Sequence, residues 1–162
     1  MRIRRANQAD LVAITGIYNE AVLNTTATFD TEPKTLVEQE EWFRQHAEPP
    51  FLVLVAEEDG IVVGWASLGP WSDRRAYAET AQCSVYVHGD CRGKGIGKAL
   101  LQDLLAAAKE AGLHTVIGSI AEGNEASMRL VVSLGFDHLG TMREVGFKFG
   151  KRLDVLMVQR IL

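Results

Sequence analysis

The sequence predicts an α/β (α+β) domain whose central sheet is mixed and mostly antiparallel, with about six or seven strands and about four flanking helices. Three observations predict it. Helical and strand periodicities alternate along the 162 residues in the order βα(α)ββ and then βαβαββ. Asp59-Gly60, set between two apolar runs, marks a two-residue hairpin and so an antiparallel pair. Past mid-chain, a strand runs through a glycine-rich loop straight into the clearest amphipathic helix.

Composition bounds the chain to one domain, residues 1–162. With 47% hydrophobic residues it can bury a substantial core, whereas two half-length pieces would each bury too little. Charged residues make up 23% and the formal net charge is −4, which argues against a nucleic-acid-binding surface. Cys83 and Cys91 are too few for a disulfide framework, and no His stands at metal-ligand spacing beside them. The chain therefore reads as reduced, metal-free and cytoplasmic. The start, Met1-Arg2-Ile3-Arg4-Arg5, leads into polar residues and not into the apolar stretch of a signal peptide. No apolar run approaches the ~20 residues that cross a bilayer, so no membrane partner is expected.

In chain order, Arg2–Arg5 reads as a first strand. A helix starts at Asn7 or Asp10 and carries Leu11, Ile14, Ile17, Tyr18 and Val22 at helical spacing. Asn24 to Phe29 breaks it with turn-forming and β-branched residues. An acidic helix over about 35–46 follows, closed by Pro49-Pro50. Phe51–Glu57 and Ile61–Leu68 are the arms of the Asp59-Gly60 hairpin. A polar loop from Pro70 to Ala76 leads to a β-branched strand, Ala81–His88. Ile96 to Ala111 is helical, with Leu100, Leu104 and Ala108 on its apolar stripe and Gly112 as its stop. Thr115–Ile120 is a core strand, and Asn124–Leu134 is a helix ended by Gly135. Two strands at about 138–146 and 153–161 close the chain around a Gly150-Lys151 turn.

The chemistry starts at Cys91-Arg92-Gly93-Lys94-Gly95-Ile96-Gly97-Lys98. Glycines at 93, 95 and 97 let the backbone approach a ligand with its N–H groups turned inward. The helix start adds partial positive charge and unpaired donors, and Arg92, Lys94 and Lys98 add full charges. This is a site for a diphosphate. The spacing is not the Gly-x-Gly-x-x-Gly of a dinucleotide fold, and the Gly-Lys-Ser/Thr ending of an ATP-binding loop is missing.

On these residues the chain resembles the GNAT superfamily of acetyltransferases, whose Arg/Gln-x-x-Gly-x-Gly/Ala pattern is met by Arg92, Gly95 and Gly97. The resemblance implies a single domain of that fold with acetyl-CoA as cosubstrate. Its pyrophosphate would lie on Arg92, Gly93, Lys94, Gly95, Ile96, Gly97 and Lys98. The pantetheine arm would pair with the strand at Val85, Tyr86 and Val87. It would also meet Asn124 and Ser127, which together with Leu134-Gly135-Phe136 match a second family signature. A plain helix cap at Asn124 is compatible with that role. Ile17–Val22, Thr25–Phe29, Gly69-Pro70-Trp71, Ser84–Val87 and Val145–Gly150 are similar to the phosphinothricin and methionine-sulfoximine acetyltransferase branch. That branch implies N-acetylation of a small amino-acid-like amine and a homodimer built through the apolar C-terminal strands.

In the family reaction a neutral amine attacks the thioester directly. The protein must take a proton from an ammonium of pKa about 9–10, orient the nitrogen and stabilise an oxyanion. The resemblance places the oxyanion donor on a backbone N–H of Ser84–Val87, with Val85 as candidate. The usual base is a Glu just before Ser84, where this chain has Gln82, an amide without useful basicity. A His or Tyr of relatives is Val131 here, and Ser72 and Ala78 stand where other members have basic residues. Arg152 and Leu153 replace an aromatic stretch near the family's pocket.

Three answers to the missing base stand open. Glu79 could serve, although three residues along a strand it faces away from Gln82 unless a bulge intervenes. A water held by Gln82 could pass the proton to solvent, at a cost of ~1.4–2.7 kcal/mol because about 1–10% of the amine is neutral at pH 8. Or the function has changed, to an acetyl-CoA sensor or an enzyme for a polyamine or peptide. Arg74 is the candidate for an acceptor carboxylate, because a guanidinium fork matches it. Phe29, Trp71 and Tyr77 are candidate pocket walls. His88 reads as structural or as a cofactor contact, and His46, His114 and His138 as isolated loop or helix-end residues.

Overall fold

The computed structural model of the chain describes residues 1–162. One sheet runs in the order β1-β2-β3-β4-β5-β7-β6. Its strands are β1 (Arg2–Arg5), β2 (Leu52–Glu58), β3 (Ile61–Pro70), β4 (Thr80–Val87), β5 (Thr115–Ala121), β6 (Asp137–Lys148) and β7 (Lys151–Ile161). The α-helices are α1 (Leu11–Asn24), α2 (Leu36–His46), α3 (Ile96–Glu110) and α4 (Glu125–Ser133). Neighbouring strands are antiparallel except β4 and β5, which α3 joins as a crossover. The fold class and element order are those the sequence predicts.

The apolar run of β2 is buried on both faces because helices cover both. Leu52, Leu54 and Ala56 join Ala66 and Leu68 of β3 beneath α3 in the main core. Val53, Val55 and Trp65 point the other way, against Ile14 and Ile17 of α1 and partly buried Trp42 and Phe43 of α2. Gly64 makes room for α3, since a Cβ there would meet Tyr86 O at 3.1 Å and Leu100 Cδ1 at 3.2 Å.

Local chemistry sets the helix starts. Thr35 and Glu38 cap α2 reciprocally. Asn7 and Asp10 form a second such box, but around a 3₁₀ turn (Gln8–Asp10) that feeds α1, so α1 begins after both residues expected to start it. Asp10 is buried and accepts two hydrogen bonds from Arg4, at 2.7 and 2.9 Å, while Arg4 also reaches Glu57 at 2.8 Å. The Arg4 guanidinium holds the Asp10 carboxyl below its ordinary range.

The C-terminal hairpin turns at Phe149-Gly150, one residue earlier than expected. Both residues take positive φ (51° and 73°), and Lys151 already pairs with Lys148. β6 is an edge of the sheet and carries register shifts at His138/Gly140 and Met142/Gly146.

Candidate active site

β4 and β5 pair only from Thr80/Thr115 to Gln82/Ile117 and then part. β5 keeps β7 along its whole length, so beyond Gln82 the edge of β4 that faces β5 has no strand partner. Backbone groups left this way must find a ligand or water. Alternation along β4 sends Cys83, Val85 and Val87 toward the α3 core and Gln82, Ser84 and Tyr86 toward α1 and α2.

Three cavities meet at this strand. A cavity of about 610 Å³ holds the glycine loop, with Arg92, Gly95, Lys98 and Asn124 on its wall. A slot of about 90 Å³ follows the parted strands past Cys83, Gly118 and Val131. On the opposite face a cavity of about 780 Å³ is lined by Tyr18, Trp42, His46 and Gln82. Tyr86 lines all three, and Ser84 lines the slot and the large cavity.

In the glycine loop, Gly93 (φ +76°) and Gly95 (φ +83°) take the left-handed conformation, with nothing within 4 Å of a would-be Cβ. Their requirement is conformational and not spatial. Gly97 differs: it lies inside α3, where a Cβ would find Val85, Val87 and Leu130 at an ordinary 3.7 Å. No side chain caps α3, so the amides of Ile96, Gly97 and Lys98 have no partner within the chain. Arg92 is partly committed to holding the loop. Its Nε donates to Val87 O at 3.2 Å, and it lies 3.6 Å from Glu20, which also accepts from Gly89 N. Lys98 lines the cavity, but Lys94 does not. Asn124 accepts from Ser127 N at 3.2 Å while lining the cavity, so the cap and the cavity wall are one residue.

The large cavity has an aromatic floor. Tyr86 lies 4.9 Å from Trp65 and 5.2 Å from Tyr18, and Trp42 lies 5.3 Å from Trp65. Burial pushes the Tyr86 hydroxyl up to about 12 and also raises that of Tyr18, so both stay protonated. Tyr18 donates to Asp30 and lies 2.9 Å from Thr28 Oγ1, and buried Lys148 donates to Thr28 O at 2.8 Å. These bonds pin the 25–30 loop beside the cavity. Burial also pushes the Cys83 thiol in the slot up to about 12.

Several expected site residues lie elsewhere. Glu79 is exposed and precedes β4, and the β3–β4 ladder has no bulge that could turn it toward Gln82. Its carbonyl accepts from His114 N and Thr115 N, which fixes the backbone there. Trp71, Arg74 and Tyr77 are exposed and line none of the three cavities, because β3 runs on to Pro70 and carries the following loop past the rim. The Phe29 ring packs against Gly146 of β6 and is not a cavity wall. The cations in the cavity are already paired, Lys34 with Asp30 at 3.8 Å and Arg44 with Glu41 at 2.6 Å. Val131 is buried core. Conversely, Tyr18, Trp42 and His46 face the cavity, although His46 reads as isolated in the sequence. The four-residue spacing of Trp42 and His46 at the end of an amphipathic helix was the available signal.

A glycine loop with unpaired helix amides on one side of β4, a slot along its parted edge and a larger cavity on the other side form an arrangement suited to group transfer between two substrates. The chain belongs to the acetyltransferase (GNAT) family, whose model matches residues 14–136. It is 44% identical over 158 residues to an L-methionine sulfoximine/L-methionine sulfone acetyltransferase of Pseudomonas aeruginosa, covering 97% of this chain and 92% of that one. A phosphinothricin N-acetyltransferase of Streptomyces coelicolor is 39% identical over 165 residues, with 100% and 96% covered. The crystal structure of a phosphinothricin acetyltransferase from Sinorhizobium meliloti in complex with acetyl-CoA superposes with a TM-score of 0.97 at 36% identity, covering 99% and 88%.

Proposed function

We propose that the chain transfers acetyl from acetyl-CoA to the amino group of a small amino-acid-like acceptor of the phosphinothricin or methionine sulfoximine type. The observation that carries this reading is the meeting of the three cavities at Tyr86, with Ser84 shared by the slot and the large cavity. A diphosphate suits the unpaired amides of α3 with Arg92 and Lys98, and a pantetheine arm suits the open edge of β4. The thioester then lies in the slot, with a β4 amide such as that of Val85 as oxyanion donor. The acceptor sits on the aromatic floor across Ser84. Its nitrogen forms the new N–C bond, the C–S bond breaks, and the thiolate leaves as the thiol.

Transfer is direct. A thiol held near 12 is almost wholly protonated at neutral pH and makes a poor nucleophile, which speaks against an acetyl-Cys83 intermediate. Initial rates varied in both substrates should give intersecting lines, and Cys83→Ala should stay within about threefold of the parent rate; parallel lines would indicate an acetyl-enzyme.

The exposed apolar side chains of the β6 edge, Leu139, Met142, Val145 and Phe147, support a homodimer joined there. Phe147→Glu should shift the sedimentation coefficient to that of one chain. The unpaired cysteines support a reducing, cytoplasmic setting.

The test of the activity is thiol release from acetyl-CoA with phosphinothricin, methionine sulfoximine, methionine sulfone, free amino acids and polyamines. Turnover with an amino-acid-like amine is expected. Acetyl-CoA binding without turnover of any amine would make the chain a sensor instead.

A further inference from the structure

We propose that His46 is the proton acceptor of the transfer, supplying the base that Gln82 cannot be. The proposal rests on the acyl-transfer reading above and adds the group that reading lacks.

His46 is the last residue of α2, and its ring is fixed on two sides. It stacks on Trp42, with centroids 4.8 Å apart and planes 26° from parallel. Its Nδ1 lies 2.8 Å from Trp42 O. A carbonyl oxygen only accepts, so Nδ1 carries the proton of the neutral ring and Nε2 carries the lone pair. Nε2 makes no hydrogen bond within the chain, and it is aimed at β3, because a Cβ on Gly69 would stand 2.5 Å from it. Gly69 is the register partner of Gln82. The free lone pair thus lies over the strand pair whose other member occupies the expected place of the base. Ser84, beside the slot, is one same-face step from Gln82 along β4, about 7 Å, which leaves room for the acceptor's amino group and a water between the ring and the slot.

The surroundings favour a base at this position. Burial outweighs the Trp42 hydrogen bond and lowers the His46 pKa, so the ring is neutral at pH 7. The other ionisable groups around the cavity are occupied. Asp30 holds Tyr18 and Lys34, Glu41 holds Arg44, and Glu38 caps α2 through Thr35. Tyr86 stays protonated. In the step proposed, Nε2 takes one proton from the acceptor's ammonium, directly or across one water, and the freed amine attacks the thioester. The departing thiolate takes the second proton that the nitrogen sheds, and the imidazolium returns its proton to solvent.

The test is kcat/KM against pH, with an amine found active in the panel above, for the parent, His46→Gln and the double variant His46→Gln/Gln82→Glu. The parent should lose activity on the acid side through a pKa below the ordinary histidine value of about 6.5. At pH 7, His46→Gln should fall about 10²–10⁴-fold with an unchanged acetyl-CoA Kd, and the deficit should shrink toward the amine's own pKa. The double variant should recover much of the loss at neutral pH. If His46→Gln keeps the parental profile and rate, or loses the same factor at every pH, His46 is not the base. A parent that turns over no amine would instead sink the acyl-transfer reading and this proposal with it.

Discussion

The two ligand-facing regions of this molecule are built in opposite ways. The glycine loop is one continuous stretch, Arg92 to Lys98, whose distinctive features lie in its backbone: two left-handed glycines and three unpaired helix amides. The large cavity is a mosaic of side chains from α1, the loop after it, α2, β3 and β4, with Tyr18, Asp30, His46, Gly69 and Gln82 far apart in sequence. A backbone site changes only when conformation changes, whereas a side-chain site can exchange its residues while keeping its shape. Gln82 belongs to the second kind of region, on a fold that superposes on an acetyltransferase at a TM-score of 0.97.

The contrast predicts separable losses. The largest should come from Gly69→Ala, whose new methyl would press on His46 Nε2. Displacing that ring by about 1 Å should lower kcat about 10²-fold while the acetyl-CoA Kd, read by calorimetry, stays put. Gly95→Val should do the reverse. A β-branched residue cannot hold φ +83° without strain, so acetyl-CoA should bind about 30-fold more weakly, with kcat at saturation little altered. If either variant changes both quantities equally, the two regions are not independent.

A smaller effect tests the frame under the acceptor side. Asp10→Asn should lower stability by about 1 kcal/mol at pH 7, read by urea unfolding, because it weakens the Arg4 pair that joins β1 to the start of α1. The folded pKa of Asp10 is depressed, so its contribution is complete above the unfolded value of about 3.9 and is lost as pH falls through the lower folded value. The gap between parent and variant should therefore close only in strong acid. Closure near pH 6 would point to a different group.

What was legible in the sequence follows the same divide. The Asp59-Gly60 hairpin, the α3 stripe and the loop glycines announce themselves through local periodicity and backbone chemistry, and each stands where it was expected. The resemblance places Phe29, Trp71, Arg74 and Tyr77 in the pocket, and they lie outside it. Two extra residues of β3 and the packing of Phe29 on Gly146 decide that, and neither leaves a local trace. His46 is the converse case, an isolated histidine whose meaning appears only when Gly69 is found beneath it.

By itself, the sequence determined the order of elements, the sheet class and the glycine loop, because helix and strand periods, turns and helix starts depend on neighbours a few residues away. Only the tertiary structure decided where β4 leaves β5, that Glu79 has no bulge to bring it round, and which histidine faces the cavity. Those depend on contacts between segments tens of residues apart, whose energies are set by packing and leave no spacing to read.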